Sequence, residues 1–250
     1  LTEVDPSGYA PEWLRLREGA DSVARAASLV DSLEPATPVV VRDLGCGTGS
    51  MSRWLTGRLP RPQQWILHDQ DPGLVRLAVA GVENATGEVR DVTRLTAADL
   101  SGTSLVTASA LLDLFTPEEI RRLVDACAGA RVPALLTLSV VGRVALTPPD
   151  PRDEAVGAAF NAHQRREGRL GPDAVAFAAA EFAARGFAVR RVATPWRLGA
   201  QDAALMETWF SGWVSAAEEE NPALELAGYR RELESAVVEH EDLLALPPQS

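Results

Sequence analysis

Apolar positions along the chain alternate between two rhythms. Short apolar runs fall at Val39 to Leu44, Trp65 to His68, Ser104 to Ser109, Ala134 to Val141 and Phe187 to Ala193. Their β-branched and near-continuous apolar character predicts strands covered on both faces. Glu88 to Val92 adds a shorter strand, and Ala236 to His240 a last one pairing antiparallel to the sixth. Between these runs the spacing turns helical. Helices are predicted over Met51 to Leu59, after Thr116, and over Asp153 to Glu167, Asp173 to Arg185, Asp202 to Glu219 and Pro222 to Glu234. Thr116-Pro117-Glu118-Glu119 carries a capping box, and Ile120, Leu123, Val124 and Cys127 give its helix a buried stripe. Trp13 to Glu18 and Ala20 to Leu33 read as two helices ahead of the first strand. Leu1 to Pro11 and the tail from Pro247 to Ser250 read as irregular. Strands alternating with helices imply an α/β, doubly wound, mostly parallel sheet that binds ligands beyond the carboxyl ends of its strands.

The first strand runs into Asp43-Leu44-Gly45-Cys46-Gly47-Thr48-Gly49-Ser50. Glycine at every second position allows positive φ and lets a ligand lie against bare backbone. Ser50 is expected to cap the following helix. A dinucleotide fingerprint, G-x-G-x-x-G, needs glycine where Ser50 stands. Asp43 would also repel a pyrophosphate, whereas it would attract an ammonium group. Asp69 ends the second strand about twenty residues after the glycines, where a βαβ nucleotide fold places its ribose-binding acid. Asp71 competes for that role, but Pro72 marks it as already leaving the strand.

The pattern Asp-x-Gly-x-Gly-x-Gly at Asp43 to Gly49 resembles motif I of the class I S-adenosylmethionine-dependent methyltransferases, and the resemblance extends over about residues 39 to 142. It implies a Rossmann-like, seven-stranded sheet. Residues 1–35 would form an N-terminal helical cap, and residues 36–250 the cofactor-binding domain, with helical insertions around 143–186 and 201–235. The implied cofactor is S-adenosyl-L-methionine, held by Asp43, Gly45, Cys46, Gly47, Gly49, Asp69 and Gln70. Asp91 and Val92 would lie near its adenine and Ser109 beside its methyl group. Arg17, on the cap, would reach its carboxylate. The Trp196-Arg197-Leu198 segment and the Trp-rich helix resemble small-molecule methyltransferases of the trans-aconitate type.

Composition narrows the chemistry. The 250 residues, 46% hydrophobic and 24% charged, suit one soluble α/β domain with additions. A net charge of −11 argues against a large nucleic-acid surface. All 24 basic residues are Arg, so no lysine Schiff base and no P-loop lysine is available. Cys46 and Cys127 form no disulfide framework, and His68, His163 and His240 show no metal spacing. Leu1 to Gly8 is polar and reads as no signal peptide, and no run is apolar enough to cross a membrane. A cytoplasmic enzyme without a metal or nucleic-acid partner is expected. The acceptor would be a small molecule, acidic or polar if the arginines after the fifth strand bind it. His163 and Asp113 are the candidate bases. The row Leu205, Met206, Trp209, Phe210 and Trp213 reads as core. A nucleic-acid or protein methyltransferase, a non-catalytic binding module and a nicotinamide oxidoreductase remain as alternatives.

Overall fold

The computed structural model describes residues 10–35 and 37–248. Residues 1–9 of the expected irregular start, Leu1 to Pro11, and the last two residues of the tail lie outside them. The first strand, β1 (Val39–Leu44), is flanked in parallel by β2 (Gln63–Asp69) and β4 (Leu105–Ser109). Beyond β2 lies β3 (Ala85–Val89), and beyond β4 lies β5 (Ala134–Thr147). The chain then passes through β6 (Ala188–Ala193) and β7 (Trp196–Leu198) and inserts β8 (Ser235–Leu246) antiparallel between β5 and β6. The resulting order is β3-β2-β1-β4-β5-β8-β6, with β7 paired to β8. The mostly parallel, doubly wound expectation therefore holds, with seven strands on the main path.

Helices cover both faces. On one, α2 (Ala27–Val30), α3 (Ser50–Thr56) and α4 (Pro72–Gly81) bury Leu29, Met51, Leu55 and Ala78 against Val39, Val41, Trp65 and Leu67. On the other, α5 (Pro117–Ala130) and α7 (Ala174–Ala184) bury Ile120, Leu123, Val175 and Phe182 against Leu136 and Leu243. Leu135 and Leu244 belong to the first cluster and Leu136 and Leu243 to the second, as strand alternation requires. The capping box of α5 forms as read: the Glu119 N–H donates to Thr116 Oγ1, and the Thr116 N–H to Glu119 Oε2.

A third cluster stands past the end of the parallel sheet. There β5 and β8 extend far beyond their predicted lengths, with register shifts between Leu136 and Ser139 and between Val140 and Val144. Leu138 and Gly142 take positive φ, 56° and 74°, at these irregularities. Buried Asp242 holds the first: Leu138 N–H and Thr194 Oγ1 donate to its Oδ1 at 2.7 and 2.8 Å, and Ala26 N–H to its Oδ2 at 2.9 Å. The extended strands carry α6 (Asp153–Gln164), α8 (Ala203–Glu220) and β7, which bury Val156, Phe210, Trp213 and Trp196 together. The aromatic row is thus core, with Trp209 half-buried at its edge.

Four local expectations are corrected. The two helices ahead of β1 are present, but the break falls at Arg25 and Ala26 and not at Gly19: α1 (Pro11–Ala24) runs through Gly19, and α2 follows it. Residues 221–234 form no helix; Tyr229 instead buries its ring and donates its hydroxyl to Asp153 at 2.6 Å. Pro195-Trp196-Arg197 reads in sequence as the start of a loop leading to Asp202, but Trp196–Leu198 is a strand. The cap of α3 is Gly49 in the left-handed region, φ 86°, and Ser50 is its first helical residue.

Candidate functional site

The glycine loop sits at the carboxyl end of β1, between β2 and β4. Gly45, Gly47 and Gly49 take φ of 62°, 54° and 86°. At Gly45 a Cβ would come 3.0 Å from Leu111, and at Gly47 3.1 Å from Leu14. The loop is tethered twice: Cys46 N–H donates to the His68 carbonyl at 2.8 Å, and Gly47 N–H to Asp69 Oδ2 at 3.0 Å.

Below it opens a cavity of about 510 Å³, a size suited to a nucleoside-sized ligand. Gly45, Cys46, Gly47, Asp69, Gln70, Val92, Ser109 and Arg17 line it. Asp69 accepts from Gly47 and, through Oδ1, from Asp71 N–H at 3.0 Å, so its carboxylate is fixed at the rim. Asp71 caps α4 by accepting from Gly73 and Leu74 N–H and does not line the cavity. Thr48, another wall residue, carries a buried hydroxyl with no hydrogen-bond partner. A bare backbone cradle, a fixed carboxylate and an unanswered hydroxyl fit the sugar and amino-acid parts of S-adenosyl-L-methionine. The Cys46 thiol is pushed up by burial and by the neighbouring Asp43, so it is no nucleophile.

Five of the predicted site residues do not line this cavity: Asp43, Gly49, Asp91, His163 and Asp113; Gly49 instead turns the chain into α3 as its cap. Asp43 lies behind the loop and accepts from Thr107 Oγ1 at 2.7 Å and Ser52 Oγ at 2.9 Å. Its place in the middle of the sheet favours ties to β4 and α3, and burial pushes its carboxyl up to about 6. Asp91 turns back on its own chain, accepting from Thr93 N–H at 3.0 Å and pairing with Arg94 at 3.1 Å, while its neighbours Val92 and Thr93 face the cavity. His163 lies on α6 beside Glu219, 3.4 Å away, and lines no cavity described here. Asp113 does line one, the smaller cavity of about 160 Å³ next to the first, and burial raises its carboxyl pKa.

Helix α1 brings the expected Arg17 to the site and adds Asp21, which the sequence reading did not single out. Arg17 forms a forked pair with Asp21 at 2.9 and 3.2 Å and lies 4.9 Å over the Trp196 ring. Trp196 Nε1 donates to the same Asp21 at 3.0 Å. Buried Arg25 donates to both Ser50 Oγ and Ser109 Oγ, at 3.0 and 3.1 Å, joining the start of α3 to the end of β4. The signal was the spacing of Arg17, Asp21 and Arg25, four residues apart on one helix face.

No protein-family model matches the sequence, and no curated protein does. Solved structures do. The cyclopropane synthase MmaA2 from Mycobacterium tuberculosis is similar over 93% of this chain and 83% of its own, with 11% identity and a TM-score of 0.50. A putative methyltransferase from Bacillus halodurans covers 96% of this chain and 100% of its own, with 12% identity and a TM-score of 0.49. Magnesium protoporphyrin IX methyltransferase from Synechocystis, solved with bound SAH, covers 94% and 83%, with 12% identity and a TM-score of 0.48. At 11% identity the likeness to the cyclopropane synthase is one of fold alone, and it agrees with the doubly wound, mostly parallel, Rossmann-like sheet described above. Nothing in them singles out the trans-aconitate type.

Proposed function

We propose that this chain is an S-adenosyl-L-methionine-dependent methyltransferase acting on a small molecule. One observation carries the reading. The glycine loop, tied to Asp69 through Gly47 N–H, roofs a 510 Å³ cavity at the carboxyl edge of the sheet. Gly45 and Gly47 let the ligand approach the backbone, Asp69 accepts from the sugar hydroxyls, and Ser109 borders the transferred group. Arg17 is already neutralised by Asp21, so the pair together faces the amino-acid end. When bound, the cofactor supplies an electrophilic sulfonium methyl. The chain's own work is to hold the acceptor close and in line and to exclude water.

Of the two candidate bases, Asp113 is favoured over His163, because it borders the cavity next door. The net charge of −11 supports a small acceptor over nucleic acid. No helix among the described residues is long and apolar enough to cross a membrane. Free Cys46 and Cys127 fit a reducing compartment such as the cytoplasm. Calorimetric titration with S-adenosylmethionine and with NAD tests the reading. Binding of the first alone is expected; binding of NAD alone would overturn it.

A further inference from the structure

The smaller cavity has a chemistry of its own. It adjoins the larger one at Arg17 and Ala110, which line both. Trp13, Phe160, Trp196, Trp209 and Trp213 form its aromatic walls. At about 160 Å³ it holds roughly one benzene-sized ring.

Several of its polar groups are buried and unanswered. Asn161 and Gln164 line it, and each carries a buried side-chain carbonyl oxygen with no hydrogen-bond partner. His240, 2% exposed, lines it with an unpartnered Nδ1. Asp113 and Glu239 add two carboxylates, neither held in an ion pair among the described residues. The positive side is weaker. Arg17 is committed to Asp21, and Arg143 is exposed. Buried acceptors left unpaired are costly, and a ligand rich in N–H groups would satisfy them. Aromatic faces beside carboxylates favour the same kind of ligand through cation–π attraction.

We infer that this cavity binds the methyl acceptor and that the acceptor is a compact amine, no bulkier than a single ring with a short arm. The inference rests on the methyltransferase reading for the transfer itself, and on this cavity for the amine. The amine binds through N–H donation to Asn161, Gln164 and the two carboxylates. It binds as the ammonium ion, passes one proton to the Asp113 carboxylate and reacts as the free base. Its nitrogen lone pair forms the new N–C bond as the methyl C–S bond breaks, and that electron pair stays on sulfur, which leaves as a neutral thioether. The nitrogen, now cationic, leaves as the N-methylammonium ion, and Asp113 returns its proton to water. Of the acidic or polar acceptor expected from the sequence, this keeps the polar and drops the acidic alternative, because Arg165 and Arg166 are spent on Asp173 and on Glu219 and Glu220.

The test is binding, not turnover. Benzylamine, benzyl alcohol and benzoate share one ring and differ in one group. Each is titrated against the full chain with and without S-adenosylhomocysteine, by calorimetry and by tryptophan fluorescence, since four tryptophans line the cavity. Saturable binding of benzylamine with a fluorescence change is expected, weakened about tenfold or more in Glu239→Gln and in Asp113→Asn. Glu239 is half-buried on β8, so its variant is expected to fold, and circular dichroism checks this. Tighter binding of benzoate or equal binding of benzyl alcohol would overturn the amine assignment. So would failure of benzylamine to bind protein that does bind S-adenosylhomocysteine. Failure of S-adenosylhomocysteine itself would defeat the methyltransferase reading instead, and the three-ligand comparison on the unloaded protein would still decide the amine.

Discussion

Asp69→Ala separates the binding role of the second strand's carboxylate from a structural one. The substitution removes the acceptor for Gly47 N–H and for Asp71 N–H, each at 3.0 Å. A hydrogen bond to a charged group contributes about 1.5–3 kcal/mol, but both donors lie beside an open cavity where water replaces the carboxylate. The stability loss should therefore stay near about 1–2 kcal/mol. Affinity should suffer more. The ligand loses contacts to the carboxylate and also the preset loop, together about 1.5–3 kcal/mol, or roughly 10- to 150-fold in Kd. Asp71→Ala is the control. Asp71 only caps α4, so its loss should cost about 0.5–2 kcal/mol of stability and leave affinity within about twofold. Calorimetric titration with S-adenosylmethionine and urea unfolding read both quantities. Unchanged affinity in Asp69→Ala, or the larger affinity loss in Asp71→Ala, would refute the assignment.

Further outcomes follow from the same geometry. Gly47→Val should abolish measurable cofactor binding: its φ of 54° is strained for a branched residue, and its Cβ would stand 3.1 Å from Leu14; undiminished calorimetric affinity would contradict the cradle. Asp43, displaced from its ordinary 3.8 to about 6, binds more protons folded than unfolded between those values. Its contribution to stability therefore declines as pH rises from about 4 to about 6, by about 3 kcal/mol. Asp43→Asn should flatten that limb in unfolding curves taken across the window, and an unchanged slope would exclude it as the source. His163→Ala should leave the pH–rate profile as it was, since the side chain meets Glu219 and not a cavity.

The parts of the fold that announced themselves were those governed by local rules. The run Val39 to Val41 has to be a covered strand, alternate glycines have to turn, and Thr116 with Glu119 has to cap. Asp69 was legible because strand end, spacing and the following Pro72 agree. Asp43 sits at the end of β1 as expected, whereas β3 ends at Val89 and leaves Asp91 in the turn beyond it, and nothing in a strand's sequence reports which way such a carboxylate swings. Partners outside the strand decided that: Ser52 and Thr107 for Asp43, the local Thr93 turn for Asp91. The extension of β5 and β8 was hidden because Asp242, more than a hundred residues from Leu138, holds the irregularity open. Tyr229 likewise displaces a plausible helix by reaching Asp153.

Crystallisation with S-adenosylhomocysteine tests the central claim most directly. The account predicts the ligand in the cavity under Gly45 and Gly47, its sugar hydroxyls on Asp69 and its thioether sulfur facing Ala110 and the aromatic cavity beyond. A ligand bound elsewhere, or a cavity filled instead by a dinucleotide with its pyrophosphate on the glycine loop, would contradict it.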